Sequence, residues 1–543
     1  MKFPGVIYRR WDLVIYLFSV LVNIGFVVFV FSGLTENQLN TYFNSDTLYL
    51  QSIYKDIFLD KSGISGWHLN AAPNFSPDMI FFFIFHKIFG DFILASLVYS
   101  IAQYLIILLL IYHLFRFVFR VISLNYLSAA NFLMLLFFMV TLKNDDFVFT
   151  FYLLSISYHL GAFINTLICL LFTFKYLNLE KKHYLVLLFI FGFSGTISDR
   201  LFVVMYTIPV FVFTFFLFIK EYRQRVIRIL TVNIAYFLTG YSLFLLIKNS
   251  GFVHIIGTKG KIFNFENIGD SFHTMIGQYK YYLSSVDYRS LIVLLTVFSF
   301  FILTYILIIQ LRKIIKQTGI DIQFFQETGY VLFSVVFSVI VLFTPVINGT
   351  YYSPAILRYN IYFIYLGIFN YAYIFFYFSK NKIFRLVFNP VILIVSVYLM
   401  VYTISYIKNH NIKKGMADFL NYYPEIVRCV DEMAEKHNLR YGVAHYWNAK
   451  LITMFSGKDV RVYTVHHDMA IWYHVTNQNW YFKNGKGRYG EPEFNFVITN
   501  NLDTLAIRNV LDKPEKDFRC GDLKILKFGE YQFDRNTRKP IIE

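Results

Sequence analysis

Long apolar runs, repeated along most of the chain, constrain its fold more than any other feature of the sequence. Several of these runs reach about 20 residues, the length that an α-helix needs to cross the hydrocarbon core of a bilayer. Only 15% of the residues are charged, whereas an ordinary soluble domain carries about a quarter. Strands of a transmembrane barrel alternate apolar and polar side chains, and these runs do not. The sequence therefore predicts a polytopic α-helical membrane protein.

The basic residues predict how these helices are oriented. About eleven runs are long enough to be read as spans. They are 11–31, 92–115, 126–142, 150–174, 183–197, 201–219, 229–247, 290–311, 329–346, 360–378 and 386–407. Loops rich in Lys and Arg fall mainly on one side of this arrangement, and the positive-inside rule makes that side cytoplasmic. We therefore expect a cytoplasmic N-terminus, a retained first helix without a cleavage site, and an external C-terminus.

The net charge of +16 also raises the question of nucleic-acid binding. The basic residues lie in short loops between apolar runs, and none of them forms an RNA- or DNA-binding signature. Attraction to anionic lipid headgroups is the simpler explanation. Membrane lipids are therefore expected partners, and nucleic acid is not.

A change in composition near residue 409 divides the chain into two predicted domains. Residues 1–408 form the membrane domain, and residues 409–543 form a small external α/β domain. In the second domain, "NYYPEIVRCVDEMAEKH" predicts a helix, whereas "VRVYTV" and "FNFVITN" predict strands. Cys429 and Cys520 both lie there, and an oxidising compartment would allow a disulfide between them. Two free buried thiols are the alternative.

Polar groups gather at the predicted outer ends of the spans. Ionisable residues near the membrane are costly and usually face a polar cavity or a partner. The first external loop, 33–78, contains Asp46 in "NSDTLYL" and closes with "WHLNAAPNFSPDM". The candidate set comprises Asp46, Trp67, His68, Asp78, Asp145, Asp146, Tyr158, His159, Asp199, Arg200 and Arg358.

This arrangement resembles the GT-C class of integral-membrane glycosyltransferases, which transfer a sugar from a polyprenyl-phosphate carrier outside the membrane. The resemblance rests on Asp46 soon after the first helix, on the closing "WHLNAAPNFSPDM", on many helices with short connections and on the globular C-terminal domain. Many members carry a paired "DE" or "DxD" in this loop. Asp46 has no acidic neighbour, and the next acids are Asp56 and Asp60.

The resemblance implies a polyprenyl-phosphate-sugar donor and an acceptor that is a glycan, a lipid or a protein. Asp46 would be the catalytic base, because a carboxylate within hydrogen-bond reach can take the proton of an acceptor hydroxyl. Polyprenyl phosphate is a good leaving group, so one base suffices and direct displacement inverts the anomeric centre. A helix N-cap is the structural alternative for Asp46. We expect a location in the inner (plasma) membrane of a bacterium.

Arginines at the outer ends of two spans are candidates for binding the leaving phosphate, because Arg stays charged and can donate two hydrogen bonds to one phosphate. These are Arg358 in "SPAILRYN" and Arg200 in "GTISDRLF". The alternatives are snorkelling to the membrane interface for Arg358 and an ion pair with Asp199 for Arg200.

Aromatic and histidine side chains are the remaining substrate-binding candidates. Tyr158 and His159 in "SISYHLGAF" could bond a sugar or a phosphate, or simply pack. Trp67 and His68 could stack on a sugar ring, although Trp is common at membrane interfaces for unspecific reasons. In "GVAHYWNAKLI", 442–452, the aromatic residues could contact a glycan acceptor or form a core.

No metal or other cofactor is expected, because "HHD", 466–468, lacks a zinc-ligand spacing. Two other functions remain open. A transporter or flippase would need polar groups near mid-membrane and matched halves with broken helices, and no internal duplication is visible. A polysaccharide polymerase or ligase would share the lipid carrier but typically uses large external loops rich in Arg and His.

Overall fold

The computed structural model describes residues 10–541 with several gaps. The gaps are 121–122, 145, 218–221, 258–263, 317–320, 483–491, 512 and several short stretches between 383 and 410. Most of the predicted last span, 386–407, therefore lies outside the described residues.

Helices dominate the N-terminal part of the chain, and two short strands lie among them. The elements are α1 Arg10–Ser32, α2 Glu36–Tyr42, α3 Tyr49–Tyr54, β1 Trp67–Leu69, α4 Ile80–Phe89, α5 Phe92–Val118, α6 Leu124–Asn144, α7 Val148–Leu154, α8 Leu160–Leu179, α9 Lys182–Ser198, α10 Ile208–Leu217, α11 Arg223–Asn249, β2 His254–Ile255, α12 Ile268–Ser284, α13 Tyr288–Lys316, α14 Ile322–Ile347, α15 Leu357–Phe369 and α16 Tyr371–Ser379.

Among the described residues, eight helical segments are long and apolar enough to cross a membrane. They are α1, α5, α6, α8, α11, α13, α14 and the unit Pro354–Ser379 that contains α15 and α16. This mostly helical architecture is compatible with the predicted polytopic membrane protein. The predicted count of about eleven also included α9 and the segment Val203–Phe215, which are apolar but shorter, together with 386–407.

The predicted span 150–174 is broken in the structure. Helix α7 ends at Leu154 and α8 begins at Leu160. Between them, Ser157 and His159 adopt left-handed φ angles of 68° and 66°, which are uncommon for residues other than glycine. In a membrane protein, a non-helical break inside a membrane-length segment is tolerated where the break is buried in protein or lines a cavity. This break supplies two of the candidate site residues.

Between the first loop and the second predicted span, the chain forms a separate short helix, α4, which is too short to cross a membrane. Helix α4 ends at Gly90, whose φ of 72° stops the helix in the left-handed region that glycine adopts without steric cost. Asp91 then begins α5, because its carboxylate accepts a 2.7 Å hydrogen bond from the backbone N–H of Leu94.

The C-terminal part is an α/β region, as predicted. Its elements are α17 Ile412–Leu420, α18 Glu425–His437, β3 Tyr441–Ala444, α19 Tyr446–Phe455, β4 Arg461–Thr464, β5 Thr476–Asn477, β6 Phe494–Ile498, α20 Thr504–Val510, β7 Lys516–Cys520, β8 Leu523–Phe533 and β9 Pro540–Ile541. The main sheet has the order β4-β3-β6-β8-β7, and β9 pairs with β8. Strand β3 is parallel to β4 and β6, whereas β8 is antiparallel to β6 and β7.

A disulfide joins Cys429 in α18 to Cys520 in β7, across 91 residues of sequence. The structure thus selects the disulfide over two free thiols. Such a link stabilises a fold mainly by restricting the unfolded chain, and here it fixes α18 to the sheet. Cys169 is free and buried.

The C-terminal region docks on the end of the bundle where α1 finishes. A second sheet, of order β2-β1-β5, takes one strand each from the first loop, the loop after α11 and the C-terminal region. Phe419 of α17 packs against Phe31 of α1 with ring centroids 5.0 Å apart. Gly415 lies so close to α1 that a Cβ there would meet the carbonyl oxygen of Ser32 at 1.9 Å.

This close approach predicts that Gly415→Ala destabilises the docked C-terminal region. The added methyl group would gain about 1 kcal/mol of helix propensity, but the backbone collision would cost more, on the order of 1–3 kcal/mol for overpacking. Thermal unfolding of the purified protein, combined with limited proteolysis between α16 and α17, measures this. Gly529→Ala is the matched control, because nothing lies within 4 Å of a Cβ there. Equal unfolding midpoints for the two variants would contradict the close contact.

Candidate functional site

Asp46 lies in the turn between α2 and α3 of the first loop. Asn44 stabilises this turn, since its side-chain oxygen accepts hydrogen bonds from the backbone N–H groups of Asp46 at 2.9 Å and Thr47 at 3.0 Å. No side chain caps the start of α3. The N-cap alternative for Asp46 is therefore not what the structure shows, and its carboxylate points to other partners.

The carboxylate of Asp46 contacts side chains from three distant segments. Tyr446 of α19 donates a 2.5 Å hydrogen bond to Oδ1, and Tyr158 donates one of 3.2 Å to Oδ2. Nη1 of Arg358 lies 3.8 Å from Oδ2. The side chains of Asp46 and Arg358 nevertheless remain 21% and 27% exposed. An acid and a cation thus meet where a ligand can still reach both.

Helix α19 is fixed to the Asp46 turn by two further hydrogen bonds. The hydroxyl of Ser45 donates to the backbone carbonyl of Tyr446 at 2.5 Å, and Nζ of Lys450 donates to the carbonyl of Ser45 at 3.0 Å. Lys450 is buried. Burial lowers the pKa of Lys450 to about 7, although the charge of Asp46 opposes the shift. Burial and the Asp46 charge also raise the pKa of Tyr446 well above its usual value, so its hydroxyl stays a donor.

Tyrosines of the helical bundle position the other two residues that contact Asp46, which are Tyr158 and Arg358. Tyr362 donates a 2.5 Å hydrogen bond to the carbonyl of Tyr158 in the break between α7 and α8. Tyr152 donates to the carbonyl of Ala355, at 3.2 Å, just before the start of α15. The Arg358 guanidinium also lies 4.9 Å from the ring centre of Tyr359, a cation–π geometry that orients it.

A second polar cluster adjoins the first through the neighbouring residues 158 and 159. Nδ1 of His159 lies 2.6 Å from Oδ2 of Asp199. Asp78 accepts a 2.5 Å hydrogen bond from Tyr99, and burial raises the pKa of Asp78 to about 6, with the nearby charge of Asp199 adding to the effect. Gly161 permits this packing, because a Cβ there would lie 2.1 Å from Oδ2 of Asp78.

The structure therefore brings six predicted candidates into two adjoining clusters. They are Asp46, Tyr158 and Arg358 in the first cluster, and Asp78, His159 and Asp199 in the second.

Other predicted candidates lie apart from these clusters. Trp67 is fully buried, and its indole N–H donates to Asp56 at 2.9 Å. The ring of His68 stacks on those of His254 and Tyr473, with each centroid distance 4.5 Å. These positions favour the packing interpretation of both residues over sugar stacking.

The three remaining candidates, one arginine and two acids, have different outcomes. The Arg200 guanidinium lies 4.8 Å from the ring centre of Phe244, while its neighbour Asp199 pairs with His159. Asp145 lies outside the described residues. Asp146 accepts from the backbone N–H of Val148 and lies 3.5 Å from Arg289.

The acids that follow Asp46 in the first loop fasten that loop to the C-terminal region. Asp56 accepts hydrogen bonds of 2.9 Å from Trp67, Asn477 and Trp480. Burial raises the pKa of Asp56 to about 7. Oδ2 of Asp60 lies 2.9 Å from Nη1 of Arg461, and both side chains are buried. Asp56 and Asp60 thus have a structural role in joining the first loop to the C-terminal region. Of the three acids, only Asp46 is left partly exposed.

The sequence analysis did not identify Asn44 and Lys450 as parts of this site. It left open whether Tyr446 contacts an acceptor or packs in the core. The contact between Tyr446 and Asp46 spans 400 residues, so no local pattern could predict it. One signal was available, because a lysine on the buried face of α19 requires a polar partner.

Within the described residues, no three His, Cys, Asp or Glu side chains come together in a way that could hold a metal ion. No protein-family model matches the chain, and a search of the curated proteins gives no match either. The interpretation of the site therefore depends on its own geometry.

The lowered pKa of Lys450 predicts a pH dependence of stability. Its usual pKa is about 10.4, so between about pH 7 and pH 10 the unfolded chain binds one proton more than the folded chain. Stability should therefore rise with pH across this window. Lys450→Met removes this contribution, and its unfolding midpoint should rise less between pH 7 and pH 9.5 than that of the unmodified protein.

Lys458→Met is the matched control, since Lys458 lies in the same region with its side chain 51% exposed. This variant should keep the unmodified pH profile. Identical profiles for Lys450→Met and the unmodified protein would show that Lys450 is not held in a shielded environment.

Proposed function

We propose that this protein is a membrane glycosyltransferase that moves a sugar from a polyprenyl-phosphate-linked donor to an acceptor hydroxyl. The proposal rests on one observation above all. A partly exposed carboxylate, Asp46, lies 3.8 Å from a partly exposed guanidinium, Arg358, at one end of a helical bundle. A carboxylate beside a cation at the end of a bundle of membrane-length helices suits a reaction between a lipid-borne phosphate ester and a water-borne alcohol.

In the proposed reaction, Asp46 accepts the proton of the acceptor hydroxyl. The acceptor oxygen then attacks the anomeric carbon, and the bond from that carbon to the phosphate oxygen breaks. The electron pair leaves with polyprenyl phosphate, and the configuration inverts. Arg358 pairs with the phosphate of the bound donor and stays paired with it as polyprenyl phosphate leaves. Tyr446 and Tyr158 hold the carboxylate in place through their hydroxyls.

The distribution of cations supports an orientation with the site on the outer face of the inner membrane. Basic residues mark the opposite end of the bundle. Examples are Arg116 at the end of α5, Lys182 and Arg223 at the starts of α9 and α11, and Lys316 and Lys380 at the ends of α13 and α16. By the positive-inside rule that end would face the cytoplasm, and the C-terminal domain would be periplasmic or extracellular.

The position of the charged groups favours transfer over transport. A transporter binds its substrate near mid-membrane between matched repeats. Here the contacts of Asp46 lie where the first loop meets the C-terminal region. The candidate base also has hydrogen-bond donors on both carboxylate oxygens, which suits a group that must hold one geometry during chemistry.

Asp46→Asn should reduce sugar transfer by roughly 10²–10⁴-fold, the range that a positioned general base contributes. The assay uses the full-length protein in liposomes, a panel of labelled polyprenyl-phosphate sugars and an alcohol or glycan acceptor. Asp270→Asn, which changes an exposed acid in the first turn of α12, should retain full activity. Unchanged transfer by Asp46→Asn would remove this residue as the base. Movement of intact donor across the bilayer, without a new glycosidic bond, would instead identify a transporter.

Arg358→Gln should mainly weaken donor binding, because it removes the cation that faces the phosphate. A charge-assisted hydrogen bond contributes about 1.5–3 kcal/mol, so the donor KM should rise by roughly one to two orders of magnitude. Arg358→Lys keeps the charge and should recover part of this loss. Initial rates over a range of donor concentrations measure both variants. A donor KM that is equal in Arg358→Gln and the unmodified protein would contradict a phosphate contact.

A further inference from the structure

The segment between α11 and α13 contains a 17-residue helix, α12, whose surface is divided in an unusual way. Helix α12 buries one face against the bundle through residues spaced three or four apart. These are Ser271, Met275, Gln278 and Tyr282. The rest of its surface is not uniform, and it separates into an apolar strip and a polar strip.

The apolar strip consists of Phe272, Ile276 and Leu283, which are 42%, 46% and 42% exposed. Each residue advances an α-helix by about 100°, so these three side chains point within about 40° of one another. His273, Gly277 and Lys280 are also exposed, and they lie further around the helix, about 80–140° from Phe272. The order around the helix is therefore protein-facing, apolar and exposed, then mainly polar and exposed, with the 60% exposed ring of Tyr281 beyond the polar strip, about 180° from Phe272.

Along the chain, the apolar strip is followed directly by a helix that also exposes an apolar face. Val286 is exposed between α12 and α13. Helix α13 is one of the membrane-length helices, and it exposes large apolar side chains at alternating spacings of three and four residues. These are Leu291, Leu294, Phe298, Phe301, Tyr305 and Ile308. A stripe of this length on a helix of this hydropathy faces lipid.

We propose that α12 lies along the membrane surface and binds the bilayer at the boundary between headgroups and acyl chains. A helix at this boundary buries its apolar strip by about 5–10 Å and keeps its polar strip in water. Lys280, beside the apolar strip, suits an anionic headgroup. The three sectors of α12 and the exposed apolar stripe of α13 that follows it indicate that lipid covers the apolar strip. This inference does not depend on whether the protein transfers a sugar.

This placement fixes the depth of Arg358. The Gln278 amide donates to the carbonyl of Pro354 at 3.0 Å and accepts from the hydroxyl of Tyr351. The segment 351–357, which leads into Arg358, is thereby tied to the buried face of α12. A surface-bound α12 consequently holds the Arg358 guanidinium near the level of lipid phosphates.

The test measures the environment of single positions on α12 in the full-length protein. Ile276→Cys and His273→Cys, on neighbouring strips of the same helix, are each spin-labelled and reconstituted in liposomes of phosphatidylcholine with a minor fraction of phosphatidylglycerol. Collision rates with oxygen, which concentrates in the acyl region, and with a water-soluble nickel chelate report depth. The ratio of oxygen to nickel collisions should be several-fold higher at 276 than at 273.

Leu283→Cys provides an independent position on the same strip and should match Ile276→Cys. Thermal unfolding confirms that each labelled variant is folded. Nickel collision rates at 276 and 283 that equal the rate at 273 would overturn the proposal, because the strip would then face water. Low collision rates with both reagents at 276 and 283 would also overturn it, because the strip would then be covered by protein.

Discussion

The carboxylate of Asp46 joins three segments of the molecule that lie far apart in the sequence. It accepts hydrogen bonds from Tyr158, in the break between α7 and α8, and from Tyr446, in the C-terminal region. It also faces Arg358 at the start of α15. A partly buried charge is costly unless it is paired and hydrogen-bonded. Removing the C-terminal region would therefore take a donor from the site as well as a domain from the fold.

The docking of the C-terminal region serves this contact in two ways. The buried pair of Asp60 and Arg461 and the hydrogen bonds to Asp56 fasten the first loop to the C-terminal region. Lys450 and Ser45 add hydrogen bonds between α19 and the Asp46 turn itself. Breaking a buried ion pair costs about 3–5 kcal/mol, so the turn that carries Asp46 has little freedom to move. Such rigidity is what a positioned base requires.

The sequence predicted the helical membrane fold and the C-terminal α/β region, because both follow from local patterns of apolar and polar residues. It also identified Asp46, Tyr158 and Arg358 separately. It could not predict their contact with Tyr446, since that contact depends on the packing of segments 400 residues apart. The break at 155–159 was missed because the apolar residues on both sides of it, 147–154 and 160–171, were read as one continuous span. The amphipathic α12 was missed because its apolar strip is only three residues long.

The most direct test of this account is an experimental structure of the full-length protein in a lipid nanodisc. In that structure, the Asp46 carboxylate should lie within hydrogen-bond distance of the Tyr446 hydroxyl and within about 4 Å of the Arg358 guanidinium, the range of an ion pair. All three groups should lie near the level of the lipid phosphates. A C-terminal region detached from the first loop, or an Asp46 side chain turned away from both partners, would contradict the account.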